Sequence, residues 1–370
     1  MHTSSVNMIM KRLIYSIIAL FCAVSMGFAN EKTDEKVEKF NPTELAMHHV
    51  KDAHEFEIFG EEHVLYLPII LWTDNGLVMF SSKRFEGDDS AKKIVEKDGQ
   101  KFVKYHEKIY YASPSANAEG SFVEVVAGKE DPNNTHPLDF SITKNVFTLW
   151  LAIAVLCILA ISAGNFYKSK KYNGVPKGVA SVFEVLVAFV RDDIAIPSIG
   201  EKKYKKFMPY LLTVFFFVWL VNIFGLIPFF PFGANLSGNI AFTVTLALIT
   251  FLITQFSSNA NYWKHIFWTP GVPVPMKIVL APIEFIGLFT KPFSLTIRLF
   301  ANITAGHIIV LSLVSMIFIF QTYWVAPASI IFVVFISLIE ILVTALQAYI
   351  FTMLSALYFG MATEEGHEEH

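Results

Sequence analysis

Residues 284–310 read EFIGLFTKPFSLTIRLFANITAGHIIV, an apolar stretch that carries Glu284, Lys291, Arg298, Asn302 and His307 where a bilayer would favour leucine. An arginine in the middle of a spanning helix costs about 2.5–3.5 kcal/mol on insertion scales, so it faces protein or water and marks function. Steps of seven residues turn a helix through about 700°, which brings Glu284, Lys291 and Arg298 onto nearly one face, with Asn302 one turn later. His307 follows nine residues after Arg298, about 900° of rotation and roughly 13 Å further along the axis, on the opposite face. One helix therefore offers two polar surfaces at two depths.

Composition extends this to the whole chain. Of 370 residues 54% are hydrophobic, 36 are Phe and only 16% are charged, whereas soluble globules hold about 25% charged residues. The expected fold is an all-α polytopic membrane protein of about five membrane helices, the last two long and strongly tilted, plus a small exported domain of α+β or β-meander type. The formal net charge of -3 hides a segregation: residues 30–140 hold 22 acidic and 13 basic side chains, and residues 165–206 hold nine Lys or Arg against four acids. That asymmetry orients a membrane protein and is no nucleic-acid footprint. Cys22 and Cys157 fall in a candidate signal sequence and a candidate membrane helix, which offers neither a disulfide framework nor a thiolate metal site.

Lys11 and Arg12 precede an apolar run from Leu13 to Phe28, and Gly27-Phe28-Ala29 supplies small residues at a cleavage site, so residues 1–29 read as a signal peptide, or else as an uncleaved first helix. Residues 30–140 form the exported domain. Within it, the alternation from Val64 to Trp72, then Asp74-Asn75-Gly76, then Leu77 to Phe80 predicts a β-hairpin, and Phe102 to Tyr111 a third strand. His48, His49, His54 and His63 match no zinc spacing and are expected as solvated histidines on a helix-like segment, with no metal and no cofactor.

The membrane domain is expected over residues 145–362. Phe147 to Gly164 is its first helix, and the cluster Lys168, Lys170, Lys171, Lys177 after it puts the mature amino terminus outside. Val179 to Ile194 reads as an interfacial or a cytoplasmic linker helix. Phe207 to Ile227 crosses outward, Pro228 and Pro231 turn the chain, Ile240 to Phe256 crosses back, and residues 257–277 return to the inside. Phe293 to Phe320 and Val325 to Gly360 span about 42 and 54 Å as helices against a hydrocarbon core of about 30 Å, so the pair must tilt, leaning on another protein surface. Residues 363–370 form an acidic cytoplasmic tail.

From Phe207 to Gly360 the Asp, Glu, Lys, Arg and His residues are Lys264, His265, Lys277, Glu284, Lys291, Arg298, His307 and Glu340, and the first three belong to the inside loop. Glu340 and Gln347 share a face of the last helix; antiparallel packing sets Glu340 against His307 and Gln347 near the level of Arg298. A histidine beside a carboxylate is either a proton relay or a buried pair that fixes helix register. Arg298 is a permanent charge controlling a proton path, an anion or lipid site, or a snorkelling residue; its depth in the apolar run argues against the last, and a single neighbouring cation, Lys291, against the second.

These residues stand in a recognisable order. Lys291-Pro-Phe-Ser294-Leu-Thr-Ile-Arg298-Leu-Phe-Ala-Asn302, then Ala305-Gly306-His307, then Glu340 and Leu346-Gln347-Ala-Tyr-Ile-Phe351, with Asn222 and Gly225-Leu-Ile-Pro228, resemble subunit a of the F-type ATP synthase over roughly residues 145–362. The resemblance implies that Arg298 faces a rotating c-subunit ring between two half-channels. It also implies that Asn302 and Gln347 flank Arg298, that His307 and Glu340 line the outer half-channel, and that Glu284 with Ser294 lies toward the inner one. It further implies a b-subunit stalk, an F1 sector reached through that stalk, and a bacterial inner membrane with the carboxyl terminus in the cytoplasm. Many bacterial relatives carry Glu and His exchanged at the positions of His307 and Glu340; the pair is preserved and its order reversed. The alternative class is a stand-alone proton-coupled transporter or channel, and nucleotide chemistry falls to partner subunits because no P-loop is present. The resemblance leaves residues 30–140 without a role.

Overall fold

The structure, a computed structural model, describes residues 52–59, 63–117, 120–123, 125–126, 129–130, 135–168, 178–227, 229–268, 272–320 and 325–364. The expected signal peptide, His48, His49, Lys170, Lys171, Lys177, Pro228 and most of the acidic tail lie outside them.

The amino-terminal part is β. Strand β1 (Glu55–Phe59) pairs with β2 (His63–Tyr66), and β3 (Pro68–Thr73) pairs with β4 (Gly76–Ser81) through the Asp74-Asn75 turn. The segment expected to be helix-like is thus partly strand, because Phe56, Ile58, Val64 and Tyr66 continue the alternation that makes β3 and β4. Phe102 to Tyr111 is a hairpin and not one strand. β5 (Val95–Lys97), β6 (Gln100–Tyr105) and β7 (Lys108–Tyr111) form their own antiparallel sheet, with His106 and Glu107 at positive φ in the β6–β7 turn. Short strands β8 (Val125–Val126) and β9 (Lys129–Glu130) pair, and β10 (Leu138–Asp139) adds to β3. Ile69, Leu71, Val78 and Phe80 of one sheet bury against Val95, Phe102 and Ile109 of the other, with Phe85 between them.

Seven helices follow among the described residues, apart from short turns. They are α1 (Lys144–Lys168), α2 (Val179–Phe189), α3 (Tyr204–Leu226), α4 (Ile240–Phe256), α5 (Ala260–Phe267), α6 (Val274–Phe320) and α7 (Val325–Thr363). Four are long and apolar enough to cross a membrane, or up to five when α4 and α5, bent by 103°, count as one span. The expected helix Val179 to Ile194 ends as α-helix at Phe189 and continues through a π-helical turn, Val190–Ala195, into Ile196–Ile199. Residues 257–277 are not all loop: α5 occupies part of them, and α6 begins at Val274, about five turns before the expected start at Phe293. Pro282 and Pro292 sit inside α6 without ending it, since each removes one backbone bond that packing against neighbours offsets in a membrane helix.

Val190, Ile194, Phe207, Leu211, Val214, Phe215 and Val218 form a core with Leu246 and Ala247 of α4, Leu295 and Leu299 of α6, and Ala348, Phe351, Ala356 and Phe359 of α7. The carboxyl-terminal end of α7 is closed by three donors from two residues. The Lys203 ammonium and the Asn259 amide both donate to the Thr363 carbonyl at 2.6 and 3.0 Å, and the Asn259 backbone N–H donates to Ala362 at 2.9 Å. These satisfy carbonyls that a helix end leaves orphaned. Gly360 lies on the Ser198 backbone, where a Cβ would collide with the carbonyl. Gly360→Ala is therefore expected to destabilise this corner by about 1–3 kcal/mol, the usual range for overpacking, seen as a lower thermal-inactivation midpoint of the detergent-solubilised protein; an unchanged midpoint would show that the contact relaxes freely.

The β part is fixed to the first span by the segment 52–56. Lys144 N–H donates to the Ala53 carbonyl at 2.9 Å, and the Asp52 carboxylate accepts from the Asn145 N–H at 3.1 Å and the Thr143 hydroxyl at 2.8 Å, capping α1. Phe56 packs edge-on to Phe147 of α1 and to Phe230 of the α3–α4 loop, each with centroids 5.4 Å apart.

His54 is not solvated, as the sequence suggested, but 2% exposed. Its Nδ1 is 3.5 Å from Glu107, its Nε2 is 3.7 Å from Asp139, and its backbone N–H donates to Glu107 at 3.3 Å. Buried Lys104 completes the cluster at 3.4 Å from Glu107 and 3.6 Å from Glu55. Burial acts to lower the His54 pKa, but Asp139 and Glu107 override it and raise it to about 9. Burial acts to raise Glu107, and His54 with Lys104 override that, holding it down at about 2. The histidine contribution is full below its unfolded value of about 6.5 and is lost as pH rises through about 9; the Glu107 contribution is full above about 4.5 and is lost as pH falls through about 2. Amide exchange at residues 52–56, corrected for intrinsic rates, should be slowest from about pH 4.5 to 6.5 and accelerate above about pH 9. His54→Ala should remove the alkaline limb and cost about 3–5 kcal/mol, as loss of one partner of a buried pair does. A flat profile in the unmodified protein would show that the cluster does not hold the junction.

Candidate functional site

The polar residues of the spans collect on α3, α6 and α7. α6 places Glu284, Lys291, Ser294, Arg298, Asn302 and His307 in one unbroken helix, so the seven-residue spacing acts as expected. Ser294 and Asn302 are exposed, and Glu284, Arg298 and His307 are half-buried. Leu295 and Leu299, either side of Arg298, share a core with Ala348 and Phe351, close to Gln347 in sequence, so Gln347 is level with Arg298 and is itself buried. The Lys291 ammonium sits 5.5 Å from the centre of the Tyr358 ring.

His307 faces away from this surface toward α3. Its Nε2 lies 3.9 Å from the Cβ position of Gly225, which is also 3.5 Å from the Ala234 carbonyl of the α3–α4 loop. On α7, the Glu340 carboxylate lies directly against Gly306, the neighbour of His307, filling the space a Cβ would take. Glu340 thus lies against the residue that precedes His307, and His307 itself lies against Gly225. One turn before Gly225, Asn222 is buried and its Oδ1 accepts from the Ser237 hydroxyl at 2.5 Å, while its Nδ2 is a buried donor without an acceptor among the described residues. Sequence reading missed Ser237; the only available signal was the run Asn235, Ser237, Asn239 between two apolar segments.

Chemically, this arrangement has a titratable half and a fixed half. His307 and Glu340, with Asn222 and Ser237 beside them, are groups able to exchange or orient protons. Arg298 brings a planar guanidinium, a standing positive charge. One side of α6 at this level is open, with Ser294, Ile297, Ala301, Asn302 and Ala305 exposed, and along the most apolar 18-residue stretches of α6 and α7 only 11% is buried, against 44% in α3. A pair this apolar and this uncovered requires lipid or protein along its length.

Comparison with known proteins agrees with the geometry. The ATP synthase A chain family matches residues 146–360, and a family described as a domain of unknown function matches residues 45–140. ATP synthase subunit a of Chloroherpeton thalassium is 50% identical over 237 residues, covering 63% of this chain and 69% of the relative. ATP synthase subunit a 2 of Chlorobaculum tepidum is 52% identical over 240 residues, covering 63% and 66%, and ATP synthase subunit a of Anaeromyxobacter dehalogenans is 43% identical over 241 residues, covering 63% and 61%.

Proposed function

The chain belongs to the ATP synthase subunit a family, and from that membership we propose that it is the proton-conducting stator of an F-type ATP synthase, with two offset half-channels opening to a c-subunit ring and Arg298 between them. The observation that carries the proposal is the half-buried Arg298 on the open face of an over-long helix pair, with exposed Ser294 and Asn302 on the same helix and a separate His307–Glu340 site turned toward α3.

In this proposal protons enter from outside past Asn222, His307 and Glu340, transfer to a ring carboxylate, and leave inward past Ser294 and Glu284 after rotation. Arg298 favours the ionised form of each ring carboxylate that reaches it, releasing the proton, and bars direct passage between the half-channels. Gln347 and Asn302 flank it. A unit charge falling through 100 mV supplies about 2.3 kcal/mol, and several such steps drive one ATP on the F1 sector, reached through a b-subunit stalk. Residues 30–140 are the exported part, placing the mature amino terminus in the periplasm and the carboxyl terminus in the cytoplasm of a bacterial inner membrane.

The stand-alone transporter makes the opposite demand on the open face of α6 and α7. Affinity-tagged chain extracted in mild detergent should bring down a c-ring in stoichiometric amount. Recovery of the chain alone, with proton transport in reconstituted vesicles, would favour the transporter.

A further inference from the structure

The β10-β3-β4 sheet has one face buried in the core of the β region and one face that none of the described residues covers. Cross-strand partners share a face: Leu138 pairs with Trp72 and Trp72 with Leu77, Ile70 pairs with Met79, and the Phe140 N–H donates to the Ile70 carbonyl at 2.9 Å, which extends the register by two residues. Trp72, Leu138 and Phe140 are 57%, 61% and 63% exposed, the same range as Trp150 and Ile158 of α1 at 56% and 65%. The remaining outward positions, Pro68 and Ser81, are uncharged. An antiparallel sheet with one face in water alternates apolar with polar; here both faces are apolar.

The sheet runs straight into the membrane domain. The Ile142 N–H still pairs with the Pro68 carbonyl at 3.2 Å, and α1 begins at Lys144. Phe56 of the same β region packs on Phe147, in the first turn of α1. The uncovered face is therefore continuous, through residues 140–144, with a helix surface that lipid covers. It carries the aromatic and long aliphatic side chains that favour the boundary between headgroups and acyl chains.

We propose that this face, Ile70, Trp72, Leu77, Met79, Leu138 and Phe140, rests in the interfacial layer of the outer leaflet, so that the β region is a membrane-seated platform and not a domain held away from the bilayer. The seat acts together with the Asp52 cap and the Phe56 contact to hold the β region beside the outer ends of α1 and the α3–α4 loop. The proposal rests on the outward orientation proposed above for the β region; it is independent of the proton path.

Nitroxide labels at Trp72→Cys and, in a separate variant, Met79→Cys, with Cys22 and Cys157 replaced by serine, would be read in the assembled complex in phosphatidylcholine nanodiscs. Retained co-purification with partner subunits shows that each variant is folded, and a label at exposed Lys101→Cys on β6 serves as the aqueous reference. The ratio of oxygen to nickel-chelate accessibility at both positions is expected to exceed the Lys101 reference several-fold. A ratio equal to the reference would place the face in water, and exclusion of both reagents would place it under another protein; either result overturns the proposal.

Discussion

Arg298→Ala is expected to abolish ATP-driven proton pumping in sealed inverted membranes while the complex remains assembled, and to raise passive proton leak above that of the unmodified enzyme. The expectation follows from charge, not from packing. Arg298 is half-buried and its neighbours Leu295 and Leu299 carry the core contacts of this turn, so truncation leaves the helix pair intact. Without a fixed positive charge, a ring carboxylate arriving from the outer half-channel keeps its proton, and the two half-channels are no longer separated. Arg298→Lys is the discriminating companion: it keeps the charge but loses the rigid planar fork, and ammonium deprotonates more readily when desolvated. It should suppress leak better than alanine while restoring little pumping. Pumping near the unmodified level in the alanine variant would make Arg298 structural and remove the centre of the proposed mechanism.

The second large effect concerns the His307–Glu340 site. Either His307→Ala or Glu340→Ala should lower proton-driven ATP synthesis by about 10²-fold, the lower range for a positioned proton-transfer group, with the loss deepening at the pH where bulk donors are scarce. A double exchange, His307→Glu with Glu340→His, tests whether the pair acts as a unit. Each single exchange leaves two like groups side by side; the double exchange restores one imidazole and one carboxylate. Synthesis should recover at least tenfold over the worse single variant, which corresponds to about 1.4 kcal/mol of coupling. Gly306 limits the recovery: the carboxylate of Glu340 occupies the position of its absent Cβ, so Gly306→Ala should displace that carboxylate and mimic Glu340→Ala. If the two single exchanges are each harmless, the site is not on the proton path.

Much of the membrane part was written in the chain. The mean character of residues 284–310, the seven-residue spacing of Glu284, Lys291 and Arg298, and the matched spacing of Glu340 and Gln347 follow from helix periodicity and the cost of charge in lipid, which are local properties. They determined the class of protein, the helix that carries the site and the residues to examine. Local properties did not determine where α6 begins. Pro282 and Pro292 weaken a helix in isolation, and only packing against α4, α5 and α7 makes one helix of Val274–Phe320.

The tertiary structure alone decided the rest, because it depends on residues far apart in sequence. Gly225 and Gly306 matter because His307 and Glu340 come to lie on their bare backbones, and Ser237 matters because it donates to Asn222 across a loop. His54 reads as one more polar residue in a charged segment; Glu107 and Asp139, 53 and 85 positions later, convert it into a buried cation at the joint with the first span. The sequence by itself determined a polar helix within a membrane, since periodicity and apolar cost act within one helix. Which groups meet, which glycines must stay bare and which sheet face is left for lipid were decided by the fold, since only packing brings distant residues within reach of one another.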